Sequence, residues 1–119
     1  MVFLIVDDSP RMRESFKRMI ARRAPNNHRV YEAADGSEAI RLYNEVLPDW
    51  VLMDIKMEPM DGLEASRAIL AAHPDAKIII LTNYDDAGYR RAAREAGVRD
   101  YLLKERLNKL PSIILGDAA

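Results

Sequence analysis

The sequence contains no cysteine. That excludes disulfide bridges, thiolate nucleophiles and thiolate-ligated metals. Net charge is nearly absent as well: 18 basic and 19 acidic residues leave −1 at pH 7. Composition therefore gives no electrostatic basis for binding nucleic acid. No apolar run approaches the roughly 20 residues of a membrane helix. Runs such as Ile78-Ile79-Ile80-Leu81 are far shorter. Six residues precede the acidic pair Asp7-Asp8, too few for a secretory leader. Repeats and low-complexity segments are also missing. At 119 residues and 49% hydrophobic composition, the chain suits one compact domain, read here as soluble and cytoplasmic, with no membrane contact.

Short apolar runs alternate with helical patterns. Val2-Phe3-Leu4-Ile5-Val6 reads as a strand. Ser9-Pro10 then supplies a cap and a first-turn proline. Met12, Phe16, Met19 and Ile20 repeat at the spacing of one helix face, and Pro25-Asn26-Asn27 ends it. Residues 29–33 form a weaker second strand. Asp35-Gly36 turns the chain, Ala39, Ile40, Tyr43, Val46 and Leu47 give the second helix its apolar face, and Pro48 stops it. Strand 3 is expected over 49–54. Asp61-Gly62 launches a helix with Leu63, Ser66, Ile69 and Leu70 inward. Strand 4 runs from Lys77 to Thr82. Asp86 starts an alanine-rich helix that Gly97 ends. Residues 100–103 form strand 5, and Pro111 delays or kinks the last helix. Five βα units with such apolar strands predict an α/β fold: a five-stranded parallel sheet with helices on both faces. Ligands of these sheets bind beyond the carboxyl ends of the strands.

The residues at those ends are therefore informative. Asp7 and Asp8 follow strand 1, Asp54 ends strand 3, Thr82 ends strand 4, and Lys104 follows strand 5. Each alone is ordinary: a terminal Asp caps or turns, a strand Thr reflects β-propensity, and a Lys is solvated. Together they conflict electrostatically. Two carboxylates about 4 Å apart repel by about 4 kcal/mol at an effective dielectric near 20. One ammonium against three carboxylates leaves a negative surplus, which a divalent cation removes. Mg²⁺ prefers oxygen ligands and characteristically takes one or two carboxylates plus a phosphate. A magnesium site beside a free carboxylate, with Lys104 and Thr82 left to hold phosphoryl oxygens, is a phosphoryl-transfer arrangement.

The chain closely resembles the receiver domain of bacterial response regulators. The matching residues are Val6-Asp7-Asp8-Ser9, Asp54-Ile55-Lys56-Met57 with Met60-Asp61-Gly62, Ile80-Leu81-Thr82, and Ala96-Gly97 with Tyr101-Leu102-Leu103-Lys104. The resemblance spans essentially the whole chain, 1–119, as one receiver domain with no output domain. It implies a flavodoxin-like doubly wound sheet of order 2-1-3-4-5. Asp54 becomes the phosphoacceptor, served by a histidine kinase, a phosphotransfer protein or a small phosphodonor. Asp7, Asp8, Asp54 and the Lys56 carbonyl become the Mg²⁺ ligands. Lys104 pairs with the phosphoryl group, Thr82 swings toward it, and Tyr101 turns inward in response. The output surface would be helix 4, strand 5 and helix 5, with a homodimer possible there and no direct contact to nucleic acid. Transcription would be controlled through a DNA-binding domain outside this chain. The domain would be a signalling module rather than an enzyme.

Three departures stand out. Glu58 occupies the usual proline position, with Pro59 one residue later. Asn83, followed by Tyr84, stands where the residue after Thr82 is usually small. Glu105 replaces the proline after Lys104, which makes the cis peptide common there less expected. Lys56 and Tyr84, each two residues beyond a pocket residue, are placed to tune the lifetime of the phosphorylated form. Arg11, Arg13, Lys17, Arg18, Arg22 and Arg23 make helix 1 basic, as a solvated face or a kinase-docking face. Arg90, Arg91 and Arg94 on helix 4 read as a solvated face or as part of a self-association or output surface. His28 and His73 are not expected to ligate metal, and Met12, Met19 and Met53 read as core. The alternatives are a pseudo-receiver serving as a constitutive interaction module, a stand-alone receiver, and an aspartyl phosphatase. Lys56 disfavours the last, since haloacid-dehalogenase phosphatases carry a second Asp at that position. The ending Gly116-Asp117-Ala118-Ala119 reads as a linker remnant.

Overall fold

The computed structural model describes residues 1–23 and 28–115. The Pro25-Asn26-Asn27 stop and the Gly116–Ala119 linker lie outside them. Five units follow one another: β1 (Val2–Val6), α1 (Pro10–Arg23), β2 (Arg29–Ala33), α2 (Gly36–Val46), β3 (Trp50–Met53), α3 (Gly62–Ala72), β4 (Ile78–Thr82), α4 (Ala87–Ala96) and β5 (Asp100–Leu103). A 3₁₀ stretch, Lys104–Lys109, precedes a short α5 (Leu110–Leu115). Pro111 thus sits in the first turn of a late helix, as its fixed φ requires. All strands pair in parallel, in the order β2-β1-β3-β4-β5. The doubly wound fold expected from the strand pattern and the family resemblance is the one formed.

Alternation along the strands divides the core in two. Leu4, Val6, Val51, Met53, Ile78 and Ile80 face α2, α3 and α4, packing on Ala39, Tyr43, Leu63, Ile69 and Ala93. Phe3, Ile5, Leu52, Ile79, Leu81 and Leu102 face α1 and α5, packing on Phe16, Met19, Ile20, Leu110 and Ile114. Of the methionines read as core, Met53 and Met19 are buried and Met12 packs at the margin. Every residue of β3 and β4 is buried. At about 25 cal/mol per Å² of apolar surface, this double burial is the main stabilising term.

Helix starts are fixed by side chains just beyond the strands. Asp35 accepts from the Glu38 N–H at 3.0 Å, Asp61 from Glu64 at 2.9 Å, and Asp86 from Tyr89 at 2.9 Å. Ser9 accepts more weakly from Met12 at 3.3 Å. Each cap contributes about 1 kcal/mol.

Several boundaries differ from the sequence expectation: β3 and β4 each begin one residue late, at Trp50 and Ile78. Leu47 is not on the buried face of α2. It is 60% exposed and caps the helix with φ at 46°. Pro48 disfavours a helical conformation at the residue before it, and the left-handed turn carries Asp49 N–H to the Val2 carbonyl at 2.7 Å. Strand β3 ends at Met53, one residue early. Asp54 nonetheless stays anchored, its N–H donating to the Val6 carbonyl at 2.9 Å.

The loop after β3 is held by two glycines. Gly62 lies so close to the backbone of Asp54 that a Cβ there would come 1.7 Å from the Asp54 carbonyl oxygen. Its N–H donates to the Ile55 carbonyl at 2.9 Å. Across the loop, Gly36 N–H donates to the Met60 carbonyl at 3.0 Å, and a Cβ would meet that oxygen at 2.8 Å. The loop contains a cis Glu58–Pro59 bond. Gly62→Ala is therefore expected to displace the end of β3 and destabilise the fold by about 2 kcal/mol or more. Urea unfolding of the two proteins checks this.

Candidate functional site

The loops after β1, β3, β4 and β5 bring the expected residues together. Asp7 and Asp54 are buried, 1% and 7% exposed, while Asp8 is exposed. Carboxylate oxygens from Asp7, Asp8 and Asp54 lie within 4.8 Å of one another. Lys104 reaches in from the far side of the sheet. Its Nζ is 2.9 Å from Asp7 Oδ2 and 3.3 Å from Asp54 Oδ1. The remaining oxygen of Asp7 accepts from the Ser9 N–H at 2.9 Å. Its backbone N–H donates to Ala33, and its carbonyl accepts from Arg13 Nη1 at 2.6 Å.

Burial, reinforced by the charge of Asp7, pushes the Asp54 carboxyl up to about 6 despite the opposing pull of Lys104 and the Ile55 N–H. Lys104 moves the other way from what its own burial favours. Desolvation alone would lower it, but the bond to Asp7 and the field of Asp54 hold it above the ordinary lysine value. Two acids and one ammonium are thus packed where water is scarce. An additional cation on the carboxylate side would relieve them.

Thr82 is fully buried at the end of β4. Its Oγ1 accepts from the Tyr84 N–H at 3.2 Å. The carbonyl of the same Tyr84 accepts from the Tyr101 hydroxyl at 2.6 Å. Tyr101 is half-buried, with the Arg90 guanidinium 4.6 Å from its ring centre. One loop residue therefore links the hydroxyl beside the pocket to the aromatic on β5.

Several features were not foreseen from the sequence. The Lys56 ammonium lies 5.3 Å from the ring centres of both Tyr84 and Tyr89, which meet edge to face. Tyr89 carried no sequence signal beyond its place on α4. Glu58, unexplained by its position, lines an open cleft of about 400 Å³ with Asp8, Lys56, Met57 and Asp61. The basic face of α1 is partly neutralised within the domain: Arg13 and Lys17 both pair with Glu32 on β2. His73 packs on Tyr43 and its Nε2 lies 2.8 Å from Asn44 Oδ1, which accounts for it structurally.

Comparison with known proteins gives this geometry a family. The family model for the response regulator receiver domain matches residues 3–114. The chain belongs to that family. It is 37% identical over 102 residues to the transcriptional regulatory protein DegU of Brevibacillus brevis, covering 86% of the chain and 43% of DegU. It is 41% identical over 101 residues to LiaR of Bacillus subtilis, covering 85% of the chain and 47% of LiaR. The chain thus spans less than half the length of these regulators. The chemotaxis protein CheY of Listeria monocytogenes is 40% identical over 101 residues, 85% of this chain and 83% of CheY. Among solved structures, a LuxR-family response regulator from Aurantimonas superposes with a TM-score of 0.84 at 36% identity, over 97% of this chain and 85% of that one. Receiver domains are signalling domains rather than classical enzymes. They bind Mg²⁺ at an acidic pocket and interact with histidine kinases and phosphotransfer proteins. The Asp7, Asp8 and Asp54 cluster is a set of oxygen donors that fits such an ion. Among the described residues, no helix is long and apolar enough to cross a membrane.

The raised Asp54 carboxyl has a consequence for stability. In the unfolded chain an aspartate ionises near pH 4, whereas in the folded chain Asp54 holds its proton to about 6. The unfolded state therefore loses its proton first, and metal-free stability falls between about pH 4 and 6 and stays low above. Asp54→Asn removes that penalty. In EDTA it is expected to stabilise the protein by about 1–2 kcal/mol at pH 7, with no gain below about pH 4. Urea titrations across that range test it.

Proposed function

We propose that this receiver domain accepts a phosphoryl group on Asp54 from a histidine kinase, a phosphotransfer protein or a small phosphodonor. The observation that carries the reading is the position of Asp54. It is a buried carboxylate within ion-binding distance of Asp7 and Asp8 and 3.3 Å from the Lys104 ammonium. Asp7, Asp8, Asp54 and the Lys56 carbonyl would hold Mg²⁺, which when bound neutralises charge on the transferring phosphoryl oxygens. The residues of the chain do the rest. An Asp54 oxygen attacks phosphorus, a new P–O bond forms, and the donor's P–N or P–O bond breaks with its electron pair leaving on the donor. Lys104 exchanges its bond to Asp54 for one to a phosphoryl oxygen. In the reverse of the signal, water attacks phosphorus and releases inorganic phosphate and the free carboxylate.

Transmission follows from the loop after β4. A phosphoryl oxygen accepts from the Thr82 O–H and draws the side chain toward Asp54, which pulls on the bond its oxygen accepts from Tyr84 N–H. Any movement of Tyr84 is felt at its carbonyl, where the Tyr101 hydroxyl is bound. Thr82 and Tyr101 are thereby the switch pair, and the surface of α4, β5 and α5 is the output. The similarity to DegU and LiaR, both transcriptional regulatory proteins, supports an output in transcription control through a further domain. The near-full-length match to CheY favours the second reading, a stand-alone receiver.

Incubation with Mg²⁺ and acetyl phosphate, followed by intact mass measurement, tests the proposal. One labile phosphoryl group is expected, and none on Asp54→Asn. Absence of the gain in the parent protein would establish a pseudo-receiver, and steady donor hydrolysis without accumulation would establish an enzyme. Lys56, held against Tyr84 and Tyr89, stands on the wall of the cleft. Lys56→Met and Tyr84→Ala should admit water more freely and shorten the lifetime of the phosphorylated form several-fold. Unchanged decay in both would show that this wall does not control water access.

A further inference from the structure

Arg13 occupies a place where a cation is disfavoured. Its N–H bonds to the Ser9 carbonyl at 3.1 Å, at the end of the first turn of α1. No acidic residue lies in that turn to offset a positive charge at the positive end of the helix dipole. The side chain is nonetheless largely withdrawn from solvent, 18% exposed. Its fork divides between two acceptors. Nε donates to Glu32 Oε1 at 2.9 Å, and Nη1 donates to the Asp7 carbonyl at 2.6 Å. Lys17 takes the other oxygen of Glu32 at 3.1 Å.

The Asp7 carbonyl is the oxygen of the peptide that joins Asp7 to Asp8. Every other polar atom of Asp7 is engaged: the N–H by Ala33, Oδ1 by Ser9 and Oδ2 by Lys104. Asp8 is the opposite case. Its side chain is exposed and makes no hydrogen bond or ion pair among the described residues. Nothing on its own side chain fixes where its carboxylate points. The plane of the Asp7–Asp8 peptide does, and Arg13 holds that plane at its oxygen.

We propose that Arg13 is a positioning residue for the cation site. Anchored on Glu32, it locks the Asp7–Asp8 peptide so that Asp8 offers its carboxylate toward Asp7 and Asp54. The proposal rests on the reading of that cluster as a Mg²⁺ site. A guanidinium is required because two acceptors in different directions must be met by one rigid fork. A lysine ammonium keeps the charge but not the fork.

Electrostatics alone predicts the opposite sign. Removing a positive charge beside an acidic cluster makes the cluster more attractive to a cation, so Mg²⁺ should bind more tightly. Positioning predicts weaker binding. Calorimetric titration of the chain with MgCl₂, alongside thermal unfolding, separates the two. Arg13→Met and Arg13→Lys are each expected to weaken Mg²⁺ binding about tenfold, as outer-shell partners of metal sites do. Lys17→Met, which breaks the same Glu32 network without touching the Asp7 carbonyl, is expected to leave it unchanged. Tighter or equal binding by Arg13→Met overturns the proposal, as does full affinity in Arg13→Lys. If Arg13→Met does not fold, Arg13→Lys carries the test alone. Failure of the parent chain to bind Mg²⁺ overturns the functional reading, and the proposal with it; normal parent binding with unaffected variants overturns the proposal only.

Discussion

Two buried carboxylates facing one ammonium set the terms for the rest of this molecule. Asp7 and Asp54 are both nearly inaccessible, and Lys104 is bonded to both. Desolvation alone disfavours any ionised group in such a place, and like charges add to the cost. The fold offsets that cost with packing elsewhere. The strands that deliver these residues are buried on every position in β3 and β4, and the sheet is covered on both faces. A strong core is what lets the strand ends carry an unbalanced charge.

The same arrangement explains the rigidity of the loop after β3. Gly62 lies against the Asp54 backbone, Gly36 against Met60, and Asp61 caps α3. The carboxylate of Asp54 is thus presented by a backbone with little freedom to relax. On the other side, β5 ends at Leu103 and delivers Lys104 as the first residue of the 3₁₀ stretch. The site is built from segments distant in sequence, which the parallel sheet brings to one edge.

That construction decides what could be read from the sequence. Strand ends are legible because apolar runs have visible limits, so Asp7, Asp8, Asp54, Thr82 and Lys104 could be placed at one edge before any coordinates. Helix starts at Ser9, Asp61 and Asp86 were legible for the same local reason, while Asp35 was read only as a turn. Leu47 was misread because helical periodicity extends one residue beyond what Pro48 permits. Contacts that depend on side-chain reach were not legible. The Lys56 ammonium against Tyr84 and Tyr89 joins the loop after β3 to the loop after β4 and to α4, a separation no spacing rule supplies. Arg13 did leave a trace, a cation in a helix turn where the dipole opposes it, but its acceptors on β1 and β2 are tertiary. Glu58 had no local explanation, and only the three-dimensional cleft shows it standing beside Asp8.

Tyr84 carries one more implication. Its links to Thr82 and Tyr101 are both made by main-chain atoms, an N–H and a carbonyl. Its ring, half exposed, is engaged separately with Lys56 and Tyr89. Under the proposed function, relay and shielding fall to different parts of one residue. The ring can be exchanged without cutting the wire that passes beneath it, so the timing of such a domain can diverge while its wiring stays the same.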